Sequence, residues 1–91
     1  MKGKSTWFML EFMKDFVDGR MDRYFFDLDF DGYIIEHFPQ MEKEYPRFAT
    51  YFADAIIPRV DLARDRNLPD GDFRQIVSQC FLDAMAALPL L

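Results

Sequence analysis

The chain has 91 residues, 51% of them hydrophobic and 18% aromatic, which predicts one domain over 1–91 that hides about 60–65% of the surface exposed by the open chain. Sixteen acidic against eleven basic residues leave a formal charge of −5. That balance lacks the basic footprint of a nucleic-acid binder, disfavours anionic membranes and suits steering toward a cationic partner. Cys80 is the single cysteine, so no internal disulfide forms and secretion gains no support.

Lys2 and Lys4 precede the apolar run Trp7–Leu10, but Glu11 and Lys14 interrupt it too early for a signal peptide and no small-residue cleavage site follows. No stretch approaches the roughly 20 apolar residues of a membrane span, and a cytoplasmic location is expected. Thr6 is read as the cap of a first helix reaching Asp18. Phe8 or Met9, Phe12, Met13 and Phe16 recur at helical spacing, with Glu11, Lys14, Asp15 and Asp18 turned outward. Gly19 supplies the left-handed residue that ends it.

Asp22 is a candidate cap for a second element whose type the pattern leaves open. Phe26, Leu28 and Phe30 alternate with Asp27, Asp29 and Asp31, the period of a strand. Read as a helix, Phe26, Phe30 and Tyr33 share a side while Leu28 and Ile35 lie elsewhere, which implies burial on more than one face. Helical neighbours and the lack of a partner strand favour the helix. His37, Pro39 and Gln40 are read as a connection.

Pro46 suits the first turn of a third helix. Its stripe is Ala49, Phe52, Ile56, Val60 and Ala63, and winding puts Thr50, Asp54, Asp61 and Asp65 on the other side. Pro58 predicts a kink or a break into two short helices. Arg66-Asn-Leu-Pro-Asp-Gly71 reads as a loop. Asp70 or Asp72 then caps a last helix in which Phe73, Ile76, Val77, Cys80, Phe81, Ala84, Met85 and Leu88 recur, and Pro89 stops it. Four helical segments on short links predict an all-α, small antiparallel four-helix bundle.

Asp27-x-Asp29-x-Asp31-Gly32-x-Ile34 opens like an EF-hand calcium loop, in which alternate carboxylates converge on one ion. The closing bidentate Glu belongs at Phe38; Glu36 comes two residues early and Pro39 follows, so a calcium-binding module stands only as the alternative. His37 has no second histidine, no His-Glu-x-x-His and no exposed cysteine beside it. Cys80 falls on the last apolar stripe as a core residue, Ser78 has no neighbouring base, and the four glycines form no phosphate loop. No enzyme activity, cofactor or metal is expected. Asp54, Asp61 and Asp65 lie opposite a core stripe, so packing does not account for them. Arg47, Arg59 and Arg64 lie near enough to form ordinary helix-surface pairs with them.

Four stretches carry a likeness: Phe12-Met-Lys-Asp-Phe-Val-Asp-Gly-Arg-Met21, Phe25-Phe26, Phe52 through Asp61 with its Val60-Asp61 pair, and Leu68-Pro-Asp-Gly-Asp-Phe-Arg74. In this layout the chain resembles the small helical immunity proteins of the colicin D type, including relatives paired with contact-dependent growth inhibition toxins. Pro58 and the Asp27–Asp31 run depart from that pattern. The resemblance implies a protein that binds the nuclease domain of a bacterial toxin cutting tRNA and plugs its basic active site. Acidic side chains would stand in for RNA phosphates. The residues expected to do so are Asp54, Asp61 and Asp65, with Asp27, Asp29 and Asp31 as a second group and Tyr33 and Tyr51 as exposed aromatic anchors. A small acidic inhibitor of some other basic protein differs only in its partner.

Overall fold

Helix α1 (Lys4–Val17) forms where the first apolar repeat runs, in a computed structural model that describes residues 3–91. Met1 and Lys2, and with them one of the two leading lysines, lie outside the described residues. Met9, Leu10, Phe12, Met13 and Phe16 are buried, whereas Phe8 is turned outward. The helix begins earlier than a cap at Thr6 would allow, with Gly3 as the N-cap residue at φ 86°. A Cβ there would sit 2.8 Å from Cε2 of Tyr45, so both the left-handed backbone and the close approach require glycine. At the other end Gly19, at φ 81°, closes the helix as expected. Its N–H donates to the Phe16 carbonyl (3.1 Å) and the Arg20 N–H to the Asp15 carbonyl (2.9 Å), the paired bonds of a Schellman turn.

The cap missing at Thr6 comes from a distant residue. The Ser5 and Thr6 N–H groups donate to the Glu44 carboxylate at 2.9 and 2.8 Å, and the Thr6 hydroxyl adds a third bond at 2.8 Å. A carboxylate there satisfies orphan donors and meets the positive end of the helix. Partial burial pushes the Glu44 carboxyl up, but the three hydrogen bonds and the nearby His37 charge outweigh it and hold the group below its ordinary value.

Helix α2 (Arg23–Glu44) settles the ambiguous segment as helical. Phe26 and Phe30, one turn apart and fully buried, stack at 5.0 Å between ring centroids, and Phe26 also stacks on Phe12 (5.2 Å) and Phe16 (4.6 Å) of α1. Burial thus falls on one helical side, and the strand-like alternation arises because Leu28 faces solvent. The expected connection at His37–Gln40 is not formed: the helix runs through Pro39 to Glu44. Proline leaves the carbonyl four residues back without its donor, but Pro39 and Ile35 both lie on the exposed side, where an unpaired carbonyl costs far less than in the core. The break comes at Tyr45 (φ −144°, ψ 81°), held extended by the ring of Pro46.

Helix α3 (Pro46–Tyr51), a π-helical turn (Phe52–Ile56) and α4 (Ile57–Asp65) follow without interruption. Pro58, in the first turn of α4, divides the segment into two short α-helices as expected, with a π-helical bulge as the joint. It has no N–H for the Asp54 carbonyl, and the widened turn lets the Ile57 N–H reach the Phe52 carbonyl instead. Ala49, Phe52, Ile56, Val60 and Ala63 are all buried as the periodicity predicts, joined by Phe48. Asn67, at φ 52°, ends this third helix. Helix α5 (Asp70–Ala87) starts with Pro69 at the cap position; neither Asp70 nor Asp72 makes a capping bond, but both place negative charge in the first turn. A 3₁₀ turn over Leu88–Leu90 carries Pro89.

Neighbouring helices run antiparallel. Ser5 and Thr6 meet Glu44 while Phe16 meets Phe26; Arg64 of α4 meets Asp31 of α2, and Arg59 meets Asp83 near the end of α5. Phe16, Phe26, Phe30, Phe48, Phe52 and Phe73 fill the interior, each contributing about 1.5–3 kcal/mol by leaving water. The chain is an all-α bundle with no strand among the described residues. No helix among them is long and apolar enough to cross a membrane.

Candidate functional site

Spacing by four residues places Asp27 and Asp31 on one side of α2, and Asp61 and Asp65 on one side of α4. Arg64 of α4, reaching across to Asp27 and Asp31 of α2, brings the two pairs to one hollow. They line a shallow cavity of about 510 Å³ together with Arg64. Arg64 is the strut of this basin. Its Nη1 donates to Asp31 Oδ1 at 2.9 Å and to Asp61 Oδ1 at 3.3 Å, and its Nη2 donates to the Asp27 backbone carbonyl at 3.2 Å. The guanidinium lies over the Phe30 ring, 5.8 Å from its centroid. Partial burial pulls the Arg64 pKa down, yet the Asp31 hydrogen bond and the charges of Asp31, Asp27 and Asp61 raise it on balance.

Asp27 is tied into the wall. Its Oδ1 is buried and accepts no hydrogen bond of good geometry; it keeps an ion-pair distance of 3.4 Å to Arg64 Nε, while Oδ2 lies 3.5 Å from Arg23 Nε. Arg23 in turn donates to the Leu68 carbonyl and lies over the Phe73 ring. Asp31 and Asp61 stay open to solvent, and Asp65 makes no ion pair among the described residues. Four carboxylates line the basin with the single guanidinium of Arg64, and Arg23, which reaches Asp27 from outside, is shared with Asp70 at 3.2 Å, so the basin stays net negative.

The structure regroups the residues expected from sequence. Asp54 is exposed on the π-helical turn and does not line the basin; seven residues from Asp61, it stands roughly 10 Å further along the helix. Asp29 lies on another side of α2, beside a separate hollow with Glu11, Asp15 and Tyr33. Tyr33 and Tyr51 are not free anchors. Tyr33 is half-buried and edge-on to Phe8 (4.9 Å) and Phe12 (5.1 Å), and Tyr51 packs against Phe48 at 6.3 Å. Arg64 forms the pair within its own helix that the sequence suggested, to Asp61, and also ties two helices together through Asp27 and Asp31, which its spacing in sequence did not indicate.

The calcium-loop alternative loses its geometry. Asp27, Asp29 and Asp31 lie within a continuous helix, where positions two apart point about 200° from each other and cannot converge as loop ligands do. Among the described residues no group of three His, Cys, Asp or Glu side chains is placed to hold a metal ion. His37 is held by packing: Nδ1 lies 3.0 Å from Ser5 Oγ and the ring stacks on Phe8 at 4.1 Å. Cys80 is fully buried, and burial pushes its thiol up, away from the reactive thiolate. Arg74 donates to the Phe16 carbonyl at the end of α1 and lies 4.3 Å over the Phe16 ring. It serves the fold. Comparisons with family models, curated proteins and solved structures return no match for this chain.

Proposed function

We propose that this protein is an inhibitor that acts by binding, an immunity protein that neutralises a bacterial nuclease toxin, in keeping with its resemblance to the colicin D type. The observation that carries the reading is the basin itself. Asp27, Asp31, Asp61 and Asp65, from two helices, crowd one open face with more negative charge than Arg64 and Arg23 offset. Side chains that pack no core and form a concavity of net negative charge attract a surface of the opposite sign, raising association rates and excluding wrong partners. A tRNA-cutting nuclease domain offers such a surface, since its active site must hold phosphates with lysine and arginine. The carboxylates would occupy the phosphate positions and block the cleft without chemistry. The basin specifies a cationic protein surface; the choice of a nuclease rests on the resemblance, and a cytoplasmic site of action follows from tRNA as the target.

The test is protection. Each variant is co-expressed with tRNA-cutting nuclease domains of the colicin D and contact-dependent growth inhibition type, and host growth and tRNA cleavage are followed. The parent chain restores growth. Asp31→Lys with Asp65→Lys abolishes protection and slows association by roughly tenfold or more at low salt, whereas Asp54→Lys, outside the basin, leaves both close to the parent values. Equal protection by the double variant and the parent would refute the basin as the inhibitory face.

A further inference from the structure

Helix α2 is apolar on two opposite sides. One packs Phe26, Phe30 and Met41 into the core. On the other, at 3.6 residues per turn, Tyr24, Leu28 and Ile35 fall within about 40° of one another and are 69%, 61% and 77% exposed. Phe25, 52% exposed, borders them with its ring edge-on to Tyr24. Single exposed apolar residues are commonplace, but a row of large ones opposite a core stripe is how a helix looks when it is packed on both faces. No described segment of this chain covers the row.

The row is continuous with the basin. Asp31 lies three residues after Leu28 and four before Ile35, on the same side of the helix, and Asp27 immediately precedes Leu28. We infer that the outer face of α2 is the apolar half of one docking surface whose charged half is the basin, and that its occupant is a basic protein presenting an apolar ridge flanked by arginine or lysine. This rests on the acidic-docking reading above and adds where the partner's apolar side chains seat. Exposed tyrosine and phenylalanine are the side chains that anchor such contacts, and the carboxylates beside them set the sign of the partner. A second copy of this chain suits the face poorly, because pairing it with itself sets Asp31 and Asp27 against their own kind on a molecule of formal charge −5.

Three fluorescein-labelled helical peptides of about five turns test the assignment by anisotropy titration into the full chain. One carries a leucine stripe flanked by arginines, one the same stripe flanked by glutamates, and one a serine stripe flanked by arginines. The leucine–arginine peptide is expected to bind about tenfold or more tightly than either relative. Leu28→Ser with Ile35→Ser, and separately Asp31→Lys, should each lower its affinity by about tenfold. Both apolar sites are exposed, so circular dichroism should show an unchanged fold. Equal binding of the glutamate peptide, or parental affinity in the Leu28/Ile35 variant, would overturn the inference. Sedimentation equilibrium of the chain alone at micromolar concentration should give a monomer. A dimer abolished by Leu28→Ser with Ile35→Ser would assign the face to a second copy and overturn it too. The two proposals separate cleanly: peptide discrimination without nuclease protection keeps this face and removes the nuclease, while protection that survives Leu28→Ser with Ile35→Ser does the reverse.

Discussion

Replacing Arg64 by methionine tests whether the basin is held open by one strut. The guanidinium bonds two solvent-exposed carboxylates, Asp31 and Asp61, and the Asp27 carbonyl. Exposed ion pairs contribute about 0.2–1 kcal/mol each and the carbonyl bond about 1 kcal/mol. Removing the charge also leaves the Asp27–Asp31 and Asp61–Asp65 pairs to repel along their helices, at about 0.2–0.5 kcal/mol per pair. Methionine keeps most of the apolar stem over Phe30, so packing loss is minor. The loss is about 2–4 kcal/mol, a fall in melting temperature of roughly 10–30 °C for a domain of this size. Thermal circular dichroism measures it, and the repulsive share should return in high salt, which screens exposed charges. Because the variant adds one net negative charge to the basin, it should also speed association with the cationic partner proposed above at low salt. A melt within about 2 °C of the parent value would refute the strut, and slower association would show Arg64 to be part of the contact surface itself.

Glu44→Ala removes the carboxylate that caps the start of α1 and should cost about 1–2 kcal/mol. Since the folded-state pKa of Glu44 is lowered, its stabilisation is complete above the unfolded carboxyl value and is lost as pH falls through the folded one. The gap between parent and variant melting temperatures should therefore narrow on acidification below about pH 4; a gap that stays constant would contradict the capping role. Pro39→Ala restores an N–H to the middle of α2 at an exposed site and should stabilise by about 1–2 kcal/mol, the helix gain less the entropy that proline removes from the unfolded chain. Urea unfolding reads this as a higher midpoint at unchanged slope, and a lower midpoint would show that Pro39 supports the native state.

Much of the scaffold is written in local pattern. The stripes Phe12–Met13–Phe16, Ala49–Phe52–Ile56–Val60–Ala63 and Phe73–Val77–Cys80–Ala84 all enter the core, because helical winding carries residues three and four apart to one side regardless of what lies beyond. Gly19 ends α1 for an equally local reason. Pro39 misled because its cost depends on surroundings: it passes within a helix on a solvent-exposed side, whereas Pro58 divides its segment as expected, through a π-helical turn. Thr6 is not a cap because Glu44, distant in sequence, supplies a better acceptor.

Charge, helical class and the surplus of carboxylates were thus decided by the order of residues alone, since each depends on composition or on neighbours a turn away. Which aspartates act together was not. Asp54 shares the outward side of its helix with Asp61 but not the basin's location, Asp29 falls on another side of α2 once that segment is helical, and Asp27 joins Asp61 only because α2 and α4 lie side by side. Long-range packing also left Leu28 and Ile35 outside while burying Phe26 and Phe30 of the same helix. Periodicity groups residues along one axis; only the arrangement of several axes in space determines which groups meet and which stay in water.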